Sequence, residues 1–190
     1  PTVASLAATF GRGAMTNHWK DIRNTDVILV MGANPAENHP CGFKWAVEAR
    51  DKHLAKMVVI DPRFTRTAAV ADYFMQIRPG SDIAVLGGLV HYILENQLYH
   101  EDYVRLHTNA SFIIGAGYGF EDGIFSGFDE ATNQYDRKAW DYEKGADGFV
   151  LRDPTLQNPR CVFQLLKKHF SRYTPEMVER IAGCPKDKFV

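Results

Sequence analysis

Charge of one sign is missing from this sequence. Its 22 Lys+Arg stand against 23 Asp+Glu, a formal net charge of -1 over 190 residues. The chain therefore offers no global field to a duplex nucleic acid or an anionic membrane, and any anion it binds must be held locally. Cysteine is scarce. Cys41, Cys161 and Cys184 are odd in number and widely spaced, without a C-x-x-C pair, a pattern that fits neither a disulfide framework nor a zinc site. Long apolar runs are absent too: nothing approaches the ~20 residues of a membrane helix. The longest candidate, Ile83 to Leu94, is interrupted by His91 and contains Gly87 and Gly88, so it reads as a core helix. Neither G-x-G-x-x-G nor G-x-x-x-x-G-K-[ST] occurs, which demotes ordinary NAD and P-loop chemistry. The histidines form no H-x-x-x-H or H-E-x-x-H pair and are read as surface or internally satisfied side chains. His39, between Asn38 and Pro40, is the one to follow.

What remains is ordinary globular material, 45% hydrophobic and 24% charged, long enough to bury roughly 70% of its unfolded surface. Val27 to Met31 is an unbroken apolar run ending at Gly32, the pattern of a parallel strand buried on both faces. A loop to Pro40 and a helix from about Cys41 to Asp51 follow, with Phe43, Ala46, Val47 and Arg50 at helical spacing. Lys56 to Ile60 is a second strand, so the segment forms a right-handed strand–helix–strand crossover. Tyr73 to Ile77 predicts a third strand. Helices are predicted over Asp82 to Asn96, with Ser81 as cap, and over His100 to Leu106. From Gly115 to Gly148, Gly, Asp and aromatics dominate without a period, which is too long for a plain connector and predicts an ordered insertion pinned by its aromatics. Helical pattern returns from Val162 to Phe170, and a last helix begins at Thr174-Pro175 and stops at Gly183. The fold class expected is α/β, a doubly wound, mostly parallel Rossmann-like sheet. Its parts are 1–114 as the Rossmann-like α/β portion, 115–148 as the insertion and 149–190 as a helical return. Pro1 opens the chain without Met, and the end breaks off just after a helix stop, so a fragment of a larger subunit is expected.

In an open parallel sheet, ligands sit beyond the carboxyl ends of the strands. Three segments lie there. Gly32 lets the backbone leave the first strand, and Asn34, Glu37 and Asn38 present donors and acceptors ahead of a helix N-terminus suited to phosphate; the plainer alternative is that the asparagines only cap turn and helix. Asp61, ending the second strand, is placed to accept from ribose hydroxyls. Arg63 and Arg66 can fork onto phosphate oxygens, with Thr65 and Thr67 donating beside them; a simple Asp61–Arg63 ion pair is the alternative. Gly80 and Asp82 fall in the third segment, Arg78-Pro79-Gly80-Ser81-Asp82. A carboxylate at Asp82 matches the two adjacent donors of guanine's Watson–Crick edge, or simply favours the helix dipole. Cys41 is read as a packed, inert thiol.

Met31-Gly-Ala-Asn-Pro-Ala-Glu-Asn-His-Pro40, Val59-Ile-Asp-Pro-Arg-Phe-Thr-Arg-Thr67 and Ile77-Arg-Pro-Gly-Ser-Asp82, in this order, resemble the molybdopterin oxidoreductases of the dimethylsulfoxide reductase group. Pro1 to Ala7, Gly11 to Asn17, Tyr118 to Gly123 and Ser171 to Pro175 narrow the resemblance to catalytic (alpha) subunits of selenocysteine-containing formate dehydrogenases. The resemblance implies oxidation of formate to carbon dioxide at a molybdenum or tungsten centre held by paired molybdopterin guanine dinucleotides (bis-MGD), with a 4Fe-4S cluster, an iron–sulfur electron-transfer subunit as partner, and a periplasmic site of action. It implies that Asn34, Glu37 and Asn38 meet phosphates and sugar, that Ile60, Asp61 and Arg63 lie beside the guanosine, that Gly80 and Asp82 meet guanine, and that Gly32 belongs with them to the cofactor-binding set. Arg12 and His18 are set near the metal pocket by sequence proximity alone. The metal ligand, cluster cysteines and catalytic His and Arg are expected outside this stretch, which would leave no catalytic or metal-ligating residue within it. A reading frame split at a UGA codon before Pro1 is one expectation for such a start. Alternatives are another member of the group, such as a nitrate reductase, or a non-catalytic Rossmann-like binding module.

Overall fold

The computed structural model describes residues 2–11, 17–121 and 123–190. It divides into two compact units, one formed by 1–82 with 179–190 and the other by 83–178. In the first, three parallel strands lie in chain order: β1 (Val27–Met31), β2 (Lys56–Asp61) and β3 (Tyr73–Gln76). The register sets Val27 against Lys56 and Met31 against Ile60, then Val58 against Tyr73 and Asp61 against Gln76. Helix α1 (Thr2–Phe10) and a 3-10 turn over Trp19–Asn24 precede the sheet. A single helical turn, α2 (Pro35–Asn38), and helix α3 (Pro40–His53) make the crossover from β1 to β2.

Period decides which faces meet. Phe43, Ala46 and Ala49 form the buried stripe of α3. That stripe closes on Met57, Val59 and Ala68, with Ile28, Val30 and Phe74 packed around them. These sheet residues alternate along their strands and share one face. The opposite face leaves Val27, Leu29 and Tyr73 exposed, at 59%, 52% and 66%. The expectation that β1 is buried on both faces is therefore corrected. β1 is an edge strand, α3 covers one side of it, and its apolar residues outnumber the cover supplied by the described residues. Leu54 ends α3 in the left-handed conformation at φ 58. Asp72 ties β2 to the approach of β3 by accepting from the Met57 amide at 2.8 Å, beside Arg50 at 3.3 Å and Lys56 at 3.6 Å. The amide bond first, then the cations, hold its carboxyl below the ordinary carboxylate range.

The second unit contains most of α4 (Asp82–Glu95), then α5 (Glu101–His107) capped by His100, and α6 (Val162–Phe170). Leu94, Ala110, Ile113, Leu156, Cys161 and Phe163 form its core. Between α5 and α6 lie two small hairpins, β4 (Phe120–Glu121) with β5 (Ile124–Phe125), and β6 (Phe128–Asp129) with β7 (Gln134–Tyr135). Phe125 is their hub, within 4.5 to 6.2 Å, between ring centroids, of Tyr118, Phe120, Tyr135 and Trp140. Trp140 donates its indole N–H to the Ser126 carbonyl at 2.8 Å. Helix α7 (Pro175–Ala182) and the short α8 (Lys186–Phe189) end the chain. Among the described residues no helix is long and apolar enough to cross a membrane.

Candidate functional site

The carboxyl ends of β1, β2 and β3 deliver the three polar segments to one rim of the sheet, because parallel strands all exit on the same side. At the first exit Gly32 turns with φ 61 while its amide donates to the Ile60 carbonyl at 2.9 Å. Ile60 itself is buried. Asn34 stands at the N-cap of α2, but its side chain makes no capping bond there. Its Oδ1 instead accepts from the Thr67 hydroxyl at 2.9 Å and the Thr67 amide at 3.3 Å. Its Nδ2 donates to Glu37 Oε2, and Glu37 Oε1 pairs with Arg66 Nε at 3.1 Å. Two of the three sequence-predicted groups of the first loop are thus bound into the β2–β3 loop. Asn38 touches His39 Nδ1 at 2.7 Å and lies at the exposed lip.

At the second exit Asp61 is 7% exposed and accepts the Arg63 backbone amide at 2.8 Å. This is a turn made by the carboxylate, so the ion-pair alternative fails: among the described residues no salt bridge joins Asp61 to the Arg63 guanidinium, which is exposed. The threonines expected to donate outward face inward. Thr65 Oγ1 accepts from Ala68 N at 3.1 Å, and Thr67 is wholly buried. At the third exit Gly80 has φ 80 behind Pro79, and both the Ser81 amide (3.2 Å) and hydroxyl (2.6 Å) donate to the Arg78 carbonyl. That is a tight turn of the kind that needs a positive φ at its second corner. The Ser81 hydroxyl closes this turn where a helix cap was expected. Asp82 follows, exposed in the first turn of α4.

A cavity of about 570 Å³ opens at the ends of β2 and β3, lined among others by Pro62, Gln76, Arg78, Gly183, Cys184 and Lys188. The last three were not expected in the site from the sequence; only the return of residues 179–190 to the sheet brings them there. Arg78 makes that return. Its amide donates to Ala182 O at 2.8 Å, and its Nη1 donates to the carbonyls of Arg180 (2.8 Å) and Ile181 (3.1 Å), ending α7 before Gly183. Burial pushes the Cys184 thiol above its ordinary value, which keeps it protonated and inert.

Two other sequence expectations resolve differently. His18 Nδ1 accepts from Lys20 N at 3.1 Å, while its own amide donates to Asp21 at 3.2 Å; it caps the 3-10 turn. Arg12 lies outside the described residues. Cys41, expected to be packed, is exposed. It stands two residues before Phe43, about 200° around α3 from the buried stripe. It lines a shallow cavity with Trp19 and His39, whose rings stack at 5.5 Å. Among the described residues no cluster of three or more His, Cys, Asp or Glu is arranged to hold a metal ion.

The rim thus leaves Asn38, Arg63 and Asp82 exposed, one at each strand exit. Residues 4–136 match the family described as Molybdopterin oxidoreductase. The chain belongs to the molybdopterin oxidoreductase family. Within that family it is 58% identical over 190 residues to the formate dehydrogenase-O major subunit of Escherichia coli K12, covering all of this chain and 19% of that protein. It is 58% identical over 191 residues to a formate dehydrogenase major subunit of Haemophilus influenzae, covering 18% of that protein. It is 53% identical over 190 residues to formate dehydrogenase 2 subunit alpha (cytochrome c-553) of Nitratidesulfovibrio vulgaris, 19% of whose length is matched. The chain thus spans about a fifth of the length of these relatives.

Proposed function

We propose that this chain is part of the catalytic (alpha) subunit of a formate dehydrogenase, in which its strand-end rim seats one molybdopterin guanine dinucleotide. The observation that carries the reading is the convergence of the three loops on one rim, two of them locked together through Thr67 and Asn34. The residues fit such a group. The exposed Arg63 guanidinium can fork onto a phosphate, and the Asn38 amide can donate beside it. Asp61 keeps Oδ1 on the Arg63 amide, leaving its other oxygen for a ribose hydroxyl. Asp82, exposed behind the Gly80 turn, accepts the paired donors of guanine. The chemistry the group supplies when bound is the two-electron oxidation of formate to carbon dioxide at molybdenum or tungsten. The residues of this chain bind and orient its tail.

Relatives named formate dehydrogenase match the chain from end to end, which favours this reading over a nitrate reductase and over a non-catalytic module. The reading includes a 4Fe-4S cluster and a metal ligand, Cys or selenocysteine, supplied by other parts of the subunit. It also includes an iron–sulfur partner subunit and a periplasmic location, which fractionation of the native enzyme tests. The decisive experiment is Asp82→Asn in the full-length subunit, with guanine nucleotide released by acid hydrolysis and metal both counted per polypeptide. Loss of guanine and metal from a folded protein is expected. Unchanged content overturns the assignment.

A further inference from the structure

Thr67 is completely buried, and each of its side-chain hydrogen-bonding groups is occupied by the β1–α2 loop, more than thirty residues away in sequence. Its hydroxyl donates to Asn34 Oδ1 at 2.9 Å and accepts from the Ala36 amide at 3.0 Å, while its own amide donates to the same Asn34 oxygen at 3.3 Å. Two donors on Oδ1 remove the freedom of the Asn34 amide to flip. The Nδ2 group is thereby aimed at Glu37, and Glu37 Oε1 in turn holds Arg66. One buried hydroxyl thus fixes a relay that runs outward to two charged residues on the rim.

We infer that Thr67 is a positioning residue for the nucleotide seat: it sets the Asn34 amide and the α2 entry so that the first and second loops present their polar groups in a single fixed geometry. The inference rests on the guanine dinucleotide reading above. Thr67 does not touch the ligand; it acts through Asn34 and the Ala36 amide. Valine has the same shape as threonine but lacks the hydroxyl, so it leaves the Ala36 N–H unpaired and removes the stronger of the two donors to Asn34. Serine keeps the hydroxyl and loses only a methyl.

The test uses the full-length holoenzyme carrying Thr67→Val, Thr67→Ser and, as a reference for simple destabilisation, Val85→Ala in the buried stripe of α4. Hydrogen exchange of the peptide spanning 33–38 reports the loop, and guanine nucleotide retained after dilution reports the seat. Thr67→Val is expected to speed exchange at Ala36 and to lose nucleotide about tenfold faster, the low end of what removing an outer hydrogen-bond partner costs at metal sites. Thr67→Ser restores both, and Val85→Ala, with its lower melting temperature, changes neither. If Thr67→Val does not accumulate folded, Thr67→Ala replaces it and is held to the same outcomes. Unchanged nucleotide loss in Thr67→Val, where Asp82→Asn does lose nucleotide, overturns the inference and leaves the binding reading standing. Unchanged loss in both variants overturns the binding reading, and the positioning role with it.

Discussion

A methyl group at Gly42 would sit 2.5 to 2.8 Å from the indole of Trp19. The ring is stacked on His39 at 5.5 Å and would have to leave that stacking to admit the methyl. Gly42→Ala is therefore expected to destabilise the first unit by about 1–3 kcal/mol, as overpacking generally does, and a thermal melt of the variant checks it. Leu54 poses the opposite case. It is 82% exposed and held at φ 58 at the end of α3, a conformation that costs a branched side chain roughly 1 kcal/mol and glycine almost nothing. Leu54→Gly should raise the melting temperature slightly, and a fall would show that Leu54 has a contact worth more than its strain. At this scale the sequence was least informative. Cys41, His18, Thr65 and Thr67 each have a role set by whether the side chain points in or out, and neighbouring residue types do not reveal that direction.

Among the connecting elements, the loop over 153–158 is organised by one carboxylate. Asp153 Oδ1 accepts from the Thr155 hydroxyl at 2.6 Å and its amide at 2.9 Å, and Oδ2 from the amides of Gln157 (2.8 Å) and Asn158 (2.6 Å). The Thr155 hydroxyl bond first, then these amides, bring the carboxyl down to about 2. A depressed carboxylate stabilises the fold above its unfolded value near 4. That contribution is lost as pH falls through about 2. The melting-temperature gap between the natural chain and Asp153→Asn should therefore be constant above about pH 5 and narrow progressively below it. A gap as wide at pH 2 as at pH 7 would contradict the assignment. Elements were the legible level. The crossover from β1 through α3 to β2 could be read because apolar runs and a 3.6-residue stripe are local patterns. The turn of helix at Pro35–Asn38 could not, because four residues carry no period. Arg78 had no role of its own in the sequence, because its use as a cap for α7 depends on a segment about a hundred residues downstream.

At the scale of the whole molecule, one property stands out from the sheet: among the described residues, Val27 and Leu29 on β1 and Tyr73 on β3 leave an apolar surface uncovered on one face, running out to the edge at β1. Such a surface promotes association when nothing shields it. The 190-residue chain produced alone should self-associate in light scattering, and Leu29→Lys should shift it toward monomer without lowering its melting temperature. The same scale explains why only part of the candidate site was foreseeable. Asn34, Asp61, Arg63 and Asp82 could be placed at strand ends from the alternation of strands and loops. Gly183, Cys184 and Lys188 could not, because their arrival at the cavity depends on how the chain closes back on itself.

Trp140 adds a practical consequence. The chain has three tryptophans, and Trp19 and Trp45 both belong to the sheet unit. The indole of Trp140, bonded to Ser126 and surrounded by Phe125 and Tyr135, is the single such fluorophore in residues 83–178. Replacing Trp19 and Trp45 by phenylalanine would leave its emission as a private optical signal, and melting of the aromatic hairpins could then be followed separately from that of the sheet.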